Sequence, residues 1–446
     1  MINDERRPRK SCKIEPRGRL PRRPEILHGS YNKTQHRTMS SSAGLKVRAI
    51  TRFVVLEREP STWAAALIGA SKLCAELAAT YAQLGYETQT LRIVTNPFGE
   101  YLDTTSVEAA LAGLAALKAI LDANAGPIRV RVAVGAASSA AELLLVPSLI
   151  REFGDLCNIC VNVEADEHGV VDAAMCDVAA GCIVALAQGT ERGEGNFNFT
   201  ANFACAPLIP YFPAGYNTKE VGECFAIGLE HPDLLLAVLM PLKLGAVAPA
   251  GRSEAWTAAA EALRDSIQQH VDPLVAAARR AAAASGVRFA GLDSSAAPSK
   301  DVTSMCKVIE CLGVSHFGAS GTVEACAFLT RVFKSVRDVE LIGFSGLMLT
   351  CLEDEGMAAS AARGEYDIRA LLQYSCVCGI GLDCVPIPGD TSREKIAALM
   401  RDTGTLAFRY KKPLTVRLFP CPGLAAGEMT AFESDDLCNC TVFAVE

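Results

Sequence analysis

The stretch Tyr374-Ser-Cys-Val-Cys-Gly-Ile-Gly-Leu-Asp-Cys-Val-Pro-Ile-Pro-Gly-Asp390 runs from apolar residues into carboxylates. It turns at Cys378 and Gly379, carries one carboxylate at Asp383, and ends on a second at Asp390 in a proline-rich loop. Such residues pack poorly in a core, whereas segments next to rigid strands commonly carry binding and catalytic groups. The stretch therefore predicts a strand that delivers side chains to a functional site.

Three other apolar runs end in acids in the same way. Asp293 follows Phe-Ala-Gly-Leu, Glu230 follows Phe-Ala-Ile-Gly-Leu, and the run that begins at Gly343 ends on Glu353 and Asp354. We therefore expect several buried strands to bring carboxylates to corresponding ends.

Strand and helix periodicities alternate after residue 46. The patterns predict strands at residues 47–56, 88–94, 128–134, 158–163, 196–205, 223–229, 287–292, 341–349, 377–385 and 414–419. They predict helices at residues 61–84, 106–124, 140–153, 173–188, 253–285, 301–311, 321–333 and 392–402, with the alanine-rich run 258–284 as one helix or a hairpin of two. This rhythm predicts an α/β fold: a single β/α barrel of about ten parallel strands over residues 46–446.

Composition restricts the class of protein. The chain has 446 residues, of which 50% are hydrophobic, and a net charge of −7, so we expect no nucleic-acid partner. The longest apolar run, residues 234–250, is interrupted by Pro241, Lys243 and Pro249, so we expect no membrane span. Eighteen cysteines without an apolar signal segment indicate a reducing compartment, and we expect the cytoplasm. Cys157 and Cys160 form a C-x-x-C without a second pair, which does not predict zinc.

The first 45 residues differ from the rest. Over residues 1–48, Lys and Arg outnumber Asp and Glu by thirteen to four, and apolar periodicity is absent, so the sequence predicts a disordered basic leader over residues 1–45. Two interpretations remain: an upstream extension of a reading frame that starts at Met39, or a mitochondrial targeting segment.

The carboxylates suggest two kinds of chemistry. In a parallel barrel the site lies at the C-terminal ends of the strands. There, Asp293 and Asp383 are predicted as catalytic acids or bases, and Glu230, Asp354 and Asp390 as ligands of Mg²⁺ or Mn²⁺. For each acid the alternative is a helix cap or a solvated loop residue.

Other candidates come from thiol, imidazole and helix-start patterns. Cys378 is a candidate nucleophile, with a buried apolar role as the alternative, and His316 is a candidate proton carrier. Ser320, Gly321 and Thr322 precede a predicted helix and suggest a cradle for an anionic substrate. Tyr216 is predicted to contact the substrate as well.

Several motifs together resemble domain-of-unknown-function family 711. They are Asn196-Phe-Asn-Phe-Thr-Ala-Asn-Phe, Tyr211-Phe-Pro-Ala-Gly-Tyr216, Phe225-Ala-Ile-Gly-Leu-Glu230, Gly291-Leu-Asp-Ser-Ser295, Gly346-Leu-Met-Leu349 with Glu353-Asp354, the stretch around Cys378 and Asp383, and Arg417-Leu-Phe-Pro-Cys-Pro-Gly423. The resemblance implies a ten-stranded barrel similar to that of pyruvate formate-lyase and other glycyl radical enzymes, with no settled reaction. A radical-glycine motif is missing near the C-terminus, which argues against radical chemistry. Asn217 stands where the family usually has His.

Two functions from different classes follow. The first is a cytosolic enzyme that acts on a small anionic metabolite with strand-end carboxylates, with or without a divalent cation. The second is a non-catalytic barrel that senses such a metabolite. An enzyme needs two titratable groups within reach of one substrate atom, whereas a sensor needs only a complementary pocket. The substrate, the reaction and the presence of a homo-oligomer are left open.

Overall fold

The protein is a mixed α/β structure built on one sheet of nine strands. The computed structural model describes residues 44–154 and 156–446, and these belong to one compact unit. The basic leader predicted over residues 1–45 lies outside the described residues, except for its last two positions. The strands are β1 (Lys46–Phe53), β2 (Thr88–Val94), β3 (Val130–Ala137), β4 (Asn158–Val163), β5 (Phe199–Phe203), β6 (Cys224–Glu230), β7 (Arg288–Asp293), β8 (Gly381–Pro388) and β9 (Leu414–Cys421).

Helices follow most of the strands. They are α1 (Trp63–Gln83), α2 (Val107–Ala123), α3 (Ala140–Phe153), α4 (Ala173–Gly189), α5 (Pro232–Leu239), α6 (Arg252–Ser285), α7 (Met305–Cys311), α8 (Thr322–Phe333), α9 (Glu355–Ala362), α10 (Ile368–Ser375) and α11 (Arg393–Tyr410). The alanine-rich run forms part of the single helix α6, which contains Pro273. None of the helices in the described part of the chain is long and apolar enough to cross a membrane.

The sheet is mixed, which differs from the parallel barrel that the sequence predicts. Its strand order is β7-β6-β1-β2-β3-β4-β5-β9-β8. Strands β1 to β5 are parallel, but β6 runs antiparallel to β1 and β9 runs antiparallel to β5. Strand β7 is parallel to β6, and β8 is parallel to β9. The N-terminal ends of β1 and β5 therefore lie at the same edge of the sheet as the C-terminal ends of β6 and β9.

The predicted strand at residues 341–349 is wrong, because this segment forms only isolated bridges. Leu341 is bridged to Leu292 of β7, and Thr350 is bridged to Asp383 of β8. The Leu292 N–H donates to Glu340 O at 2.9 Å, and the Cys351 N–H donates to Asp383 O at 3.3 Å. The segment therefore contacts both outer strands of the nine-stranded sheet.

The stretch quoted first is partly helical. Residues before Gly379 belong to the end of α10 and a turn, and β8 begins only at Gly381, whose φ is +98°. Gly379 packs against the backbone of Gly346, and its N–H donates to Leu347 O at 2.6 Å. Gly379 and Gly346 therefore allow a close backbone contact just before the strand begins at Gly381.

Candidate functional site

A polar pocket lies against the sheet, where side chains of several strands converge. We call it the inner pocket; it encloses about 70 Å³, and its lining includes Arg48, Arg92, Arg131, Thr350, Asp383 and Arg417. Arg48 is the third residue of β1, and Arg131 is the second residue of β3. The pocket therefore lies near the N-terminal ends of β1 to β5, not at the C-terminal ends that a parallel barrel would favour.

Four arginines from four different strands line this pocket. Each stands between aliphatic or small residues, as in Val47-Arg48-Ala, Leu91-Arg92-Ile, Val130-Arg131-Val and Val416-Arg417-Leu. Strand side chains alternate between two faces, so an arginine flanked by apolar residues faces away from the helices that cover them. A buried cation is costly unless a nearby acid or hydrogen-bond acceptor offsets its charge. The partners of each arginine therefore show which of them could bind an anionic ligand.

Arg417 is tied to two carboxylates. Its Nε donates to Asp383 Oδ1 at 2.6 Å and its Nη2 donates to Asp383 Oδ2 at 3.0 Å and to Glu353 Oε2 at 2.7 Å. Burial raises the pKa of Asp383, Arg417 opposes that rise, and Glu353 adds to it. Although burial disfavours its charge, the pKa of Arg417 is held well above its usual range by Asp383 and its neighbours. The cluster of two acids and one arginine carries a net charge of −1.

Glu353 keeps one oxygen free within this cluster. Its Oε2 accepts from Arg417 and from the Cys384 thiol at 3.3 Å. Its Oε1 has no hydrogen-bond partner among the residues that the structure describes, and the side chain lines the inner pocket with 13% of its surface exposed. Glu353 can therefore accept a proton or a hydrogen bond from a ligand.

Arg92 is the uncompensated cation of the pocket. It is 7% exposed; its Nε donates to Thr90 Oγ1 at 3.1 Å and its Nη1 donates to Pro210 O at 2.9 Å. No carboxylate pairs with it in the described part of the chain, and its guanidinium lies 4.8 Å from the centre of the Phe212 ring. Burial, together with Arg48 and Arg131, lowers the pKa of Arg92 to about 9, although Tyr211 and Glu353 oppose the fall. An anion beside Arg92 would stabilise the charged guanidinium and offset the free-energy cost of burying it.

The other two arginines have acidic partners. Arg48 donates to Glu230 Oε2 at 2.8 Å, and Gln89 donates to the other oxygen of Glu230. Burial raises the pKa of Glu230, whereas Arg48 and Lys46 oppose the rise. Arg131 donates to Asp436 Oδ2 at 2.7 Å. Both arginines are therefore neutralised locally, unlike Arg92.

A second cavity adjoins the inner pocket on the side of β3 and β4. This outer pocket of about 260 Å³ shares Arg131, Asn158, Phe197 and Asp436 with the inner pocket. Asp436 belongs to the C-terminal segment, which is held by a bridge between Met429 and Thr441 and by the Cys438 N–H that donates to Leu352 O at 2.7 Å. Asp436 therefore stands between the two cavities.

Comparison with known proteins gives a family but no activity. The family model described as "Uncharacterised ACR (DUF711)" matches residues 38–434. The chain belongs to this family.

Curated relatives carry only the family-level name "UPF0210 protein". The protein from Desulforudis audaxviator is 40% identical over 151 residues, which is 33% of either chain. The protein from Thermoanaerobacter sp. strain X514 is 30% identical over 228 residues, 50% of this chain and 48% of the relative. The protein from Clostridium botulinum strain Eklund 17B is 26% identical over 305 residues, 65% and 64% of the two chains. The matches thus span between a third and just under two thirds of these relatives' own lengths.

Of the predicted catalytic acids in this DUF711 chain, Asp383 lines the inner pocket and Asp293 does not. Asp293 is fully buried, and it accepts hydrogen bonds from the backbone N–H groups of Ser295, Phe344 and Ser345 and from the Ser295 hydroxyl. Burial raises its pKa to about 6, although these bonds oppose the rise. Asp293 therefore holds the segment after β7 against residues 344 and 345.

The predicted metal ligands are not brought together. Glu230 pairs with Arg48, Asp354 caps α9 and accepts the Met305 N–H at 2.8 Å, and Asp390 is exposed. Within the described residues, the group of potential metal ligands that does converge is Glu353, Asp383 and Cys384. Its two carboxylates already bind the Arg417 guanidinium.

The remaining predicted site residues lie elsewhere in the structure. Cys378 is 1% exposed in the apolar core, and Tyr216 packs with Ala136 and Cys160 while its hydroxyl donates to Cys205 O at 2.9 Å. His316, Ser320 and Gly321 are exposed, and the buried Thr322 hydroxyl donates to Ala319 O at 2.7 Å. None of these residues lines the inner pocket.

Sequence reasoning named Glu353 among the strand-end acids but missed the arginines as site residues. The signal was an arginine between aliphatic neighbours on four separate strands, which is unfavourable in a core unless the residue has a function. It also missed Thr350, which is 2% exposed and lines the pocket, and whose hydroxyl has no hydrogen-bond partner in the described part of the chain.

Proposed function

We propose that this protein is an enzyme that binds a small metabolite by an anionic group in the inner pocket and transfers a proton to or from it. The observation that carries the proposal is the buried Arg92 guanidinium, which has no acidic partner among the described residues. A buried unpaired charge is costly, so its placement in a cavity favours a ligand of opposite charge.

Arg92 is suited to binding a carboxylate or phosphate. Its Nη2 has no partner in the described residues and belongs to a side chain that lines the pocket. Arg48 and Arg131 are close enough to lower the Arg92 pKa, although each of them is also paired with an acid. Hydrogen bonds between ionised groups are stronger than neutral ones, particularly when shielded from water.

Glu353 is the proposed proton carrier, and Asp383 supports it. The free Oε1 of Glu353 can reach a ligand, whereas both oxygens of Asp383 are held by Arg417. Arg417 fixes both acids in position, as a general base requires. We therefore assign Asp383 to positioning, and proton transfer to Glu353.

We favour proton transfer without a metal over the version with Mg²⁺ or Mn²⁺. A cation at Glu353, Asp383 and Cys384 would have to displace the Arg417 guanidinium from both carboxylates. Hard divalent cations also prefer oxygen ligands to a thiol.

The test is to measure binding first and conversion second. Thermal shift and calorimetry with a panel of small carboxylates and phosphates should identify ligands for the wild-type chain, and Arg92→Met should abolish their binding. Arg409→Met, on the exposed side of α11, is the matched control. Proton NMR of each bound ligand in D₂O should then reveal conversion or hydrogen exchange that Glu353→Gln stops. The anion proposal is wrong if no anion binds, or if Arg92→Met binds as well as wild type.

A metabolite sensor is the second candidate, supported by the position of Asp436. The Asp436 carboxylate accepts a hydrogen bond from Arg131, which also lines the inner pocket. The C-terminal segment that carries Asp436 lies between this pocket and the surface. A ligand that competes for Arg131 would release this segment. Hydrogen exchange of residues 430–440 should then accelerate on ligand binding, without any ligand conversion. Unchanged or slower exchange would count against the sensor.

We also propose that the sheet closes into a barrel through residues 340–351. Support comes from the bridges of this one segment to β7 and to β8, the two outer strands in the order of the sheet. A closed sheet would surround the arginines and exclude water from the pocket. Similarity to the glycyl radical enzyme barrel is part of this proposal.

The proposed compartment is the cytoplasm, and the proposed partner is a small molecule rather than nucleic acid or membrane. All seventeen cysteines in the described residues are free, which is consistent with a reducing environment. The net charge of −7 does not favour binding to a polyanion.

A further inference from the structure

The charges of the inner pocket are separated into two parts of opposite sign. Arg48 is offset by Glu230 and Arg131 by Asp436, so these two pairs contribute no net charge. Arg92 remains as one uncompensated positive charge. Glu353 and Asp383 together exceed Arg417 by one negative charge. The pocket is therefore neutral as a whole, but it has a positive part and a negative part.

A ligand that carries only an anion would satisfy Arg92 and leave the negative part unmatched. The free Glu353 Oε1 would then face an electron-rich or apolar group, and a buried carboxylate oxygen without a hydrogen-bond donor costs free energy. A ligand with one carboxylate and one ammonium group would match both parts without changing the net charge of the pocket. Thr350, whose buried hydroxyl has no hydrogen-bond partner among the residues that are described, offers a donor or an acceptor to either group.

The size of the pocket limits the rest of the ligand. A water needs at least about 10–15 Å³ of such space, so 70 Å³ holds roughly five water-sized groups. Glycine or alanine has about this number of non-hydrogen atoms. The remaining lining includes Ala214, Phe344 and Met348, which can contact a hydrogen or a methyl group but cannot pair with a charge.

Resting on the proposed function, we infer that the substrate of this site is a small zwitterion, a short-chain amino acid whose carboxylate binds Arg92 and whose ammonium group binds Glu353. The assignment follows from the charge separation, the partner-free Thr350 hydroxyl and the pocket volume together. It predicts that neither a simple carboxylate nor a simple amine of the same size binds as well.

The experiment compares ligands of equal size on the full chain by calorimetry. Glycine and alanine are the zwitterions, propionate and isobutyrate are their carboxylate counterparts without an ammonium group, and isobutylamine is the counterpart of glycine without a carboxylate. We expect at least one amino acid to bind about tenfold or more tightly than its counterpart, which corresponds to about 1.4 kcal/mol. Isobutylamine should not bind measurably.

Glu353→Gln separates the two groups of the ligand. It should reduce amino-acid affinity about tenfold and leave propionate affinity unchanged, whereas Arg92→Met should abolish both. Equal binding of propionate and glycine to the wild-type chain would overturn the zwitterion inference and leave the anion proposal standing. Failure of every carboxylate to bind would overturn both. The wild-type comparison decides the inference even if Glu353→Gln does not fold.

Discussion

At the scale of single residues, the site is decided by which buried charges have partners. Arg417 and Arg48 look equivalent to Arg92 in the sequence, since all three are strand arginines with apolar neighbours. Their difference arises from residues far along the chain, such as Glu230 for Arg48 and Asp383 for Arg417. Sequence patterns can therefore predict that an arginine points inward, but not whether an acidic residue forms an ion pair with it.

Arg92→Met should stabilise the ligand-free protein while removing its binding activity. The substitution keeps a long side chain but deletes a buried cation that lacks an acidic partner. Replacing buried charge by apolar volume is often stabilising, and we expect a gain on the order of 1 kcal/mol in the free energy of unfolding. Urea denaturation without ligand measures it, with Arg409→Met as control. A loss of more than about 1 kcal/mol would mean that Arg92 has a mainly structural role.

Asp293 should make stability depend on pH in a defined window. Its pKa is about 6 in the folded protein against an ordinary value of 3.8, because burial disfavours the carboxylate. Below pH ~4 the residue is protonated whether the chain is folded or unfolded, so its stabilising contribution is fully present; that contribution is lost as the pH rises to about 6. The free energy of unfolding of wild type minus that of Asp293→Asn should fall between pH 4 and 6 and then level off.

The readout for Asp293 is the slope of that difference with pH rather than its absolute value. Asn at position 293 loses one hydrogen-bond acceptor and will cost stability at every pH, which shifts the curve without changing its slope. Asp390→Asn, at an exposed position, is the control for the exchange of a carboxylate for an amide. A difference for Asp293→Asn that does not change with pH would contradict the raised pKa.

At the scale of elements, the sequence predicted most strands and helices but not their relative directions. The predicted bounds of α3 and β4 agree with the structure, because their periodicity and capping residues are local signals. The reversal of β6 and β9 relative to β1 and β5 depends on long-range pairing, which periodicity does not report. The short helices α5, α9 and α10 were missed, whereas the similarly short α7 was predicted within residues 301–311. Two helical turns contain few repeats of an apolar period, so periodicity alone does not reliably distinguish such helices from loops.

Gly346→Ala should test the contact that links the 340–351 segment to the turn before β8. A Cβ at Gly346 would lie 2.9 Å from the Cα of Gly379, which is backbone and has little room to move. We expect a loss of about 1–3 kcal/mol in the free energy of unfolding. Gly126→Ala is the matched control, because nothing lies within 4 Å of its Cβ. Equal stability of the two variants would show that the contact is dispensable.

At the scale of the whole molecule, sequence reasoning reached two residues of the inner pocket but not the position of the pocket. The expectation of strand-end carboxylates led to Asp383 and Glu353, which line the pocket. The pocket lies near the N-terminal ends of β1 to β5, whereas the sequence placed the site at the C-terminal ends of parallel strands, and the mixed sheet accounts for this difference. Asp436 could not be assigned from sequence at all, because its partner Arg131 lies 305 positions away.

The thiols offer a test of the whole fold, because they are spread over the entire described chain. Thirteen of the seventeen described cysteines are buried, four are partly buried, and none is disulfide-bonded. Thiol reactivity requires exposure and thiolate character, and burial raises the pKa of Cys157, Cys160 and most of the others. A Cys12→Ser variant, which removes the thiol outside the described residues, should therefore react slowly with Ellman's reagent in the folded state. In denaturant, without prior reduction, all seventeen thiols should react rapidly, so that seventeen equivalents of thionitrobenzoate are released from the reagent per chain. Rapid reaction of more than the four partly buried thiols before unfolding would contradict the packing, and fewer than seventeen equivalents after unfolding would contradict the free-thiol assignment.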